Sequence, residues 1–263
     1  MILKNGWLSE LWHYRELFYF FIWRDVKVRY KQTVLGAIWA IIQPFFTMIV
    51  FALFFGKLAN MPSDGIPYPI FSYSALVPWT YFAGALTLSG NSLVSNAHLL
   101  TKVYFPRVVI VASSTLSGLI DFAIASLLLL AMMAYFHVQP TWYNLLWPVL
   151  IIPLVILATG VGMILAALNV KYRDIKYAIP FGTQLWLFIT PIIYPTTLVP
   201  EKFRWVIALN PLTGIIEAFR ATILPSRQVD WQLLSISLLI TLFVFIIGLI
   251  YFQKTDRIFA DIV

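Results

Sequence analysis

The chain has 263 residues, of which 61% are hydrophobic, 17% aromatic and 11% charged, with a formal net charge of +7 and no cysteine. An ordinary soluble domain carries about 25% charged residues, so this composition excludes a water-covered globule and fits one compact all-α membrane domain. The missing cysteines exclude disulfides, cysteine-based zinc sites and thiol nucleophiles. The positive charges lie at the ends of apolar runs, where they orient helices rather than bind nucleic acid.

In chain order, an amphipathic helix is predicted first, over 7–22. Trp7, Leu8, Leu11, Trp12, Phe18, Tyr19 and Ile22 recur at helical spacing, and Glu10, His13 and Glu16 fall largely elsewhere on the wheel. Such a helix lies in the membrane interface or packs on another subunit. Glu10, His13, Arg15 and Glu16 interrupt the place where a cleavable signal peptide needs its apolar core. Residues 24–44, RDVKVRYKQTVLGAIWAIIQP, come next. Arg24, Asp25, Lys27, Arg29 and Lys31 give way to a run with no charge before Lys57. The apolar run 34–56 has the length of a membrane crossing, and a basic cluster at its mouth stays in the cytoplasm. Gly36 is expected to allow a close helix approach there.

Further uncharged runs predict spans at 68–95 (tilted or broken near Pro78), 108–135, 147–169, 177–195 and 231–252, about six in all. HVQPTWYN at 137–144 must break the long uncharged stretch between Phe122 and Val170. Thirteen Lys and Arg fall on the side of the N-terminal region, the 96–107 connection, the 169–176 loop and the tail, against five on the other side. That bias is consistent with both termini in the cytoplasm and an even number of crossings. Segment 196–226 fits no simple loop. Its apolar pieces, 205–216 interrupted at Asn210-Pro211 and 218–225, are too short to span, so they are predicted to dip into the outer leaflet as re-entrant helices or to pack as a surface hairpin.

No catalytic or metal-binding constellation is apparent. His13, His98 and His137 lie in three different predicted regions, and no HExxH, GxSxG or P-loop motif occurs. If ATP drives this protein, another polypeptide binds it. Asp121 sits inside a predicted span, where a carboxylate is either functional or hydrogen-bonded between helices. Glu217 and Arg220 stand at i,i+3, either as a surface ion pair or as a latch at the outer mouth. Trp39, Trp79, Tyr81, Trp186 and Tyr194 could line a path. Aromatic walls with few charges hold the C–H faces of a sugar polymer weakly and let it slide.

Four pieces, RDVKVRYKQTVLGAIWAIIQP (24–44), NVKYRDIKYAIP (169–180), TPIIYP (190–195) and NPLTGIIEAFR (210–220), resemble in content, order and spacing the permease subunits of ABC exporters for O-antigen, capsule or teichoic acid. The resemblance covers nearly the whole chain. It implies a homodimer with a channel between the copies and two ATP-binding subunits docked beneath, which carry the ATP and Mg that this chain lacks. It implies a coupling helix in 96–107, with His98, Lys102 and Arg107 as candidates for the ATPase contact. It also makes 7–22 the interface helix and 196–226 the outer gate. A lipid-linked polysaccharide would then be the substrate. Arg24, Arg29 and Arg173 either meet its anionic linker or only orient the helix ends. The alternatives are an ABC permease for a drug or small lipid, and a secondary transporter, which predicts repeat symmetry and several buried ionisable groups.

Overall fold

The computed structural model describes residues 13–31, 33, 36–100, 102, 105–139, 141–223 and 228–256. Residues 7–12 of the predicted interface helix, three positions within 96–107 and residues 224–226 of the predicted gate lie outside these. The described residues are helical, with no strand among them.

Helix α1 (Arg15–Tyr30) carries the basic run itself and buries Phe21 and Val26. Its apolar residues do not gather on one face, since Tyr19, Phe20 and Val28 are exposed. The turn out of α1 passes through Gly36, whose φ of +48° lies in the left-handed region. The nearest atom to a Cβ added there is Thr33 Oγ1, 3.9 Å away. Gly36 therefore serves a turn and not the close helix approach expected of it. The first span follows over Gly36–Leu58: a short tight turn, helix α2 (Trp39–Phe51) and a wide final turn over Ala52–Leu58.

Helix α3 (Tyr68–Ser95) starts directly behind Pro67 and runs without a break through Pro78. A four-residue helix, α4 (Ala97–Leu100), leads to α5 (Val108–Ser117) and α6 (Leu119–Tyr135), which join at Gly118 into one span. Thr141 and Asn144 cap the turn that opens α7 (Trp147–Lys171). Helix α8 (Ile175–Ile189) ends six residues earlier than 195, because Pro191 and Pro195 cannot continue it. The elbow comprises α9 (Glu201–Ala208) and α10 (Pro211–Ile223), bent by 103°. Its second limb begins at Pro211 rather than at 218, since proline is well suited to the first helical position. Helix α11 (Trp231–Asp256) is the last element among the described residues.

Four segments are long and apolar enough to cross a membrane: Gly36–Leu58, Val108–Tyr135, Trp142–Lys171 and Trp231–Asp256. The other two predicted spans differ. Helix α3 carries Ser72, Ser74, Thr80, Thr87, Ser89, Asn91 and Ser92 and is mostly buried among the others. Helix α8, at 15 residues, is shorter than the roughly 20 residues of a full crossing.

Small residues let the central helices touch. A Cβ on Gly248 of α11 would lie 2.3 Å from the Gly160 carbonyl of α7, and one on Gly162 would lie 2.3 Å from Ser89 Oγ of α3. With lipid outside, such close packing is a principal attraction between helices. Asn169 adds a polar tie, donating to the Gly90 carbonyl at 2.9 Å and to Asn91 Oδ1 at 3.1 Å.

Candidate functional site

A groove runs along one flank of the bundle, walled by α2, α3, α6 and α8. It consists of two adjoining cavities of about 330 and 530 Å³ that share Arg29, Gln43, Thr80, Gly84, Leu88 and Asp121. Trp39 and Tyr81 line the first, and Trp79, Thr87, Thr183 and Gln184 line the second. Gln43, Thr87 and Gln184 are exposed. Uncharged polar side chains at this height would face hydrocarbon unless water or a partner covers them.

Among the described residues, the only charged side chains lining the groove compensate each other. Arg29 in the last turn of α1 donates to Asp121 Oδ2 in the first turn of α6, and Tyr30 donates its hydroxyl to Asp121 Oδ1. The arginine's other terminal nitrogen lies 3.3 Å from Ser117 Oγ. Each charge sits at the helix end that its sign favours. Burial, helped by the hydrogen bond to Asp121, pushes the Tyr30 pKa up to about 12, so it stays a phenol and a donor at neutral pH. Of the two readings of Asp121, the geometry shows hydrogen bonding between helices.

The other candidates fall in several places. Arg24 donates to Asp25 at 2.7 Å and to Asn96 Oδ1 at 2.8 Å, tying α1 to the start of the 96–107 connection. Asp25 in turn accepts from Ser114 of α5 at 3.3 Å. Arg173 is exposed between α7 and α8. Lys102 is exposed and His98 lies in α4, whereas Arg107 is bound to Asp256, through its carbonyl and through Oδ1 at 2.9 Å. Arg107 therefore joins the start of α5 to the end of α11.

Trp39 is 55% exposed, while Trp79 and Tyr81 are buried. The Tyr81 hydroxyl donates to the Thr115 carbonyl at 3.2 Å. Trp186 and Tyr194 are absent from the groove lining: Trp186 donates to Asn210 Oδ1 at 3.0 Å and meets Phe82 edge-on, and Tyr194 donates to the Ile189 carbonyl at 3.3 Å. Asn210 also donates to Thr190 at 3.0 Å and accepts from the Leu212 N–H at 3.1 Å, so one side chain organises the elbow.

Glu217 and Arg220 form no surface pair. Arg220 is fully buried, and its Nη1 lies 2.5 Å from Glu217 Oε1. Its Nη2 donates to the carbonyls of Pro191 and Ile192 at 3.0 and 3.1 Å. The guanidinium lies 3.8 Å from the centroid of the Phe71 ring. The chemistry follows from the prolines. In a continued helix the Pro191 carbonyl would accept from residue 195, but Pro195 has no N–H. Arg220 supplies that donor, Tyr68 serves the Ile193 carbonyl at 2.6 Å, and Thr196 holds the far oxygen of Glu217 at 3.3 Å.

Sequence reasoning weighed charges and aromatics and passed over Gln43, Thr80, Thr87, Thr183 and Gln184. Their signal is isolated amides and hydroxyls inside apolar runs of α2, α3 and α8.

Four helices long and apolar enough to cross a membrane mark a polytopic membrane protein. The chain belongs to the ABC-2 type transporter family, whose model matches residues 16–224. It is similar to the O-antigen export system permease protein RfbA of Klebsiella pneumoniae, at 31% identity over 241 residues covering 91% of this chain and 92% of that one. The protein of the same name from Myxococcus xanthus is 30% identical over 227 residues, 85% and 86% of the two chains. The polysialic acid transport protein KpsM of Escherichia coli is 27% identical over 242 residues, 89% and 91% of the two.

Proposed function

We propose that this chain is the membrane subunit of an ABC exporter that moves a lipid-linked polysaccharide across the cytoplasmic membrane. The observation that carries the reading is the groove: amides, hydroxyls and aromatic rings with its charges internally paired. That surface suits a neutral, hydroxyl-rich polymer, which needs many weak contacts and no deep ionic trap. The names of the relatives, O-antigen export permease and polysialic acid transport protein, support a polysaccharide as the substrate, the second of them an anionic one.

The groove is open along one side, and a second copy facing it about a two-fold axis would close it into a channel. The α1 and α4 end is cytoplasmic, as the Lys and Arg bias indicates. Two partner subunits carry ATP and Mg there and contact the 96–107 connection. Their movement reaches α1 through Arg24–Asn96 and Asp25–Ser114, and reaches α6 through Arg29–Asp121. ATP does work only by favouring one of two states of the dimer. An anionic linker would meet Arg173 and the outer edge of the Arg24 and Arg29 cluster.

The natural absence of cysteine makes the test direct. A Thr87→Cys variant in the assembled exporter is expected to react with a water-soluble thiol reagent, and less so while polymer is moving. Replacing Gln43, Thr87 and Gln184 together by leucine is expected to leave insertion intact and trap polymer inside. An inert Thr87→Cys, together with normal export by the triple variant, rules the groove out as the path.

A further inference from the structure

Helix α11 is jointed at its two ends to different parts of the molecule. At its inner end Asp256 accepts from Arg107, through its carbonyl and through Oδ1 at 2.9 Å. Leu249 and Phe252 are buried in one apolar cluster with Phe105 and Val109, against which Leu99 and Leu100 of α4 pack. This end therefore holds the 96–107 connection. At its outer end Ser237, fully buried, accepts the Gly214 N–H of α10 at 3.0 Å. A Cβ on Gly214 would lie 2.5 Å from the Leu233 carbonyl, so α10 and α11 meet backbone to backbone there.

Between the joints the helix is unbroken. Prolines stand inside α2, α3, α7 and α8 (Pro44, Pro78, Pro153 and Pro180), and α5 gives way to α6 at Gly118. Helix α11 contains no proline. A proline removes a hydrogen bond from the helix ladder and kinks it, so α11 is the stiffer element. At about 1.5 Å per residue, the 19 steps from Ser237 to Asp256 span about 28 Å, close to the roughly 30 Å of a hydrocarbon core. Between the joints α11 rests on the backbone of α7. A Cβ on Gly160 would lie 2.7 Å from Phe245 Cα, and one on Gly248 would lie 2.3 Å from the Gly160 carbonyl. The outer joint also leads back to the groove. Helix α10 carries Arg220, which donates to the Pro191 and Ile192 carbonyls just past α8, and Thr183 and Gln184 of α8 line the groove.

We propose that α11 is a lever. It pivots on the Gly160–Gly248 contact and carries movement of the 96–107 connection to the elbow and, through Arg220, to the α8 wall of the groove. The inference rests on the export reading above, in which the ATP-binding subunits act on that connection. A stiff helix on a fixed fulcrum turns movement at one end into opposite movement at the other. The outer end of the molecule then answers in the same step as the inner end, where ATP acts.

The test uses the full exporter in membranes, with one reporter cysteine, either at Leu209 in the exposed corner of the elbow or at Thr87 in the groove. The rate of reaction with a water-soluble maleimide is compared before and after the ATP-binding subunits are trapped with vanadate. Trapping is expected to change both rates at least threefold. Leu242 and Phe243 are exposed and lie between Ser237 and Gly248, so replacing both leaves the joints and the fulcrum in place. Leu242→Gly with Phe243→Gly makes the helix pliant, whereas Leu242→Ala with Phe243→Ala removes the same side chains and keeps it stiff. The glycine pair is expected to lose the Leu209 response and keep ATP hydrolysis, and the alanine pair to keep both. Equal Leu209 responses in the two pairs, or no Leu209 response in the unmodified exporter while Thr87 responds, overturn the lever and leave the export reading standing. No response at either cysteine in the unmodified exporter overturns both. If the glycine pair prevents insertion, Arg107→Met is compared with Arg107→Lys. Loss of the Leu209 response in the first and its retention in the second support the lever, and equal responses overturn it.

Discussion

Helix α3 has two flanks that use the same kind of residue for opposite ends. Toward α7, Ser89 sits where a Cβ on Gly162 would come within 2.3 Å, and next to it Gly90 leaves room for Ile179 of α8, whose Cδ1 would be 2.5 Å from an added Cβ. Toward the groove, Gly84 has nothing within 4 Å of where its Cβ would be. Smallness on the first flank admits a neighbouring helix, and on the second it leaves clearance. Two of the ion pairs divide the same way. Arg220 and Glu217 have side chains 0% and 7% exposed and hold an elbow, whereas Arg29 and Asp121, at 25% and 31%, stand at the rim of the groove. Burial, and not residue type, decides which task each small or charged group performs.

The largest effect expected from breaking this comparison lies in the buried pair. Arg220→Met leaves Glu217 without its counter-charge and two carbonyls without a donor, at a cost of about 3–5 kcal/mol. Little folded chain should survive detergent extraction, read by size-exclusion profile. The double variant Glu217→Leu with Arg220→Met removes both charges and should recover part of the loss, because two well-packed apolar groups replace a buried pair at small net cost. A double variant no better than the single one would show that the carbonyl contacts, not the ion pair, dominate. Next comes Gly248→Leu. Its Cβ meets the Gly160 backbone, which cannot swing aside as a side chain can. Overpacking of about 1–3 kcal/mol is expected, seen as a lower melting temperature of the purified chain.

How much of this was legible beforehand depends on whether a local rule decided it. Proline and asparagine mark helix starts by local chemistry, so the head of α3 behind Pro67 and the break at Asn210-Pro211 could be read from sequence. The end of α8 was missed: hydrophobicity carries the apolar run on to 195, although the prolines of TPIIYP end the helix at Ile189. The i,i+3 spacing of Glu217 and Arg220 gave their pairing but not their burial, which comes from α3 and the 191–196 turn folding over them. Trp39, Trp79, Tyr81 and Arg29 meet in the groove. The amides and threonines beside them were not singled out, because one Gln or Thr barely lowers the mean hydropathy of a span. Which flank of a helix is open is a tertiary fact, and no spacing in one chain reports it.

At the rim, smaller stability effects and larger functional ones are expected. Asp121→Asn removes a partly exposed, solvent-screened partner and should cost about 1 kcal/mol or less. Export should nevertheless fall several-fold, because α1 and α6 would no longer move together. Exchanging the charges, with Arg29→Asp and Asp121→Arg in one chain, should restore part of the export if the pair acts as a link. Full export by Asp121→Asn would reduce the pair to a helix-end ornament.

The least destabilising change is at Gly84. A glycine inside a helix is less stable than alanine by about 1 kcal/mol, and among the described residues nothing packs close enough to require it there. Gly84→Ala should therefore leave the melting temperature unchanged or raise it. If the open flank is half of a channel, export should fall as the side chain grows from alanine to leucine to tryptophan, while insertion and stability hold. That separation of stability from transport is the opposite of what Gly248→Leu should show. The series also distinguishes clearance for polymer from clearance for a second copy. Loss of export with the dimer intact assigns the space to the polymer, whereas dissociation at alanine assigns it to the partner subunit. Normal export by Gly84→Trp would remove the groove from the path altogether.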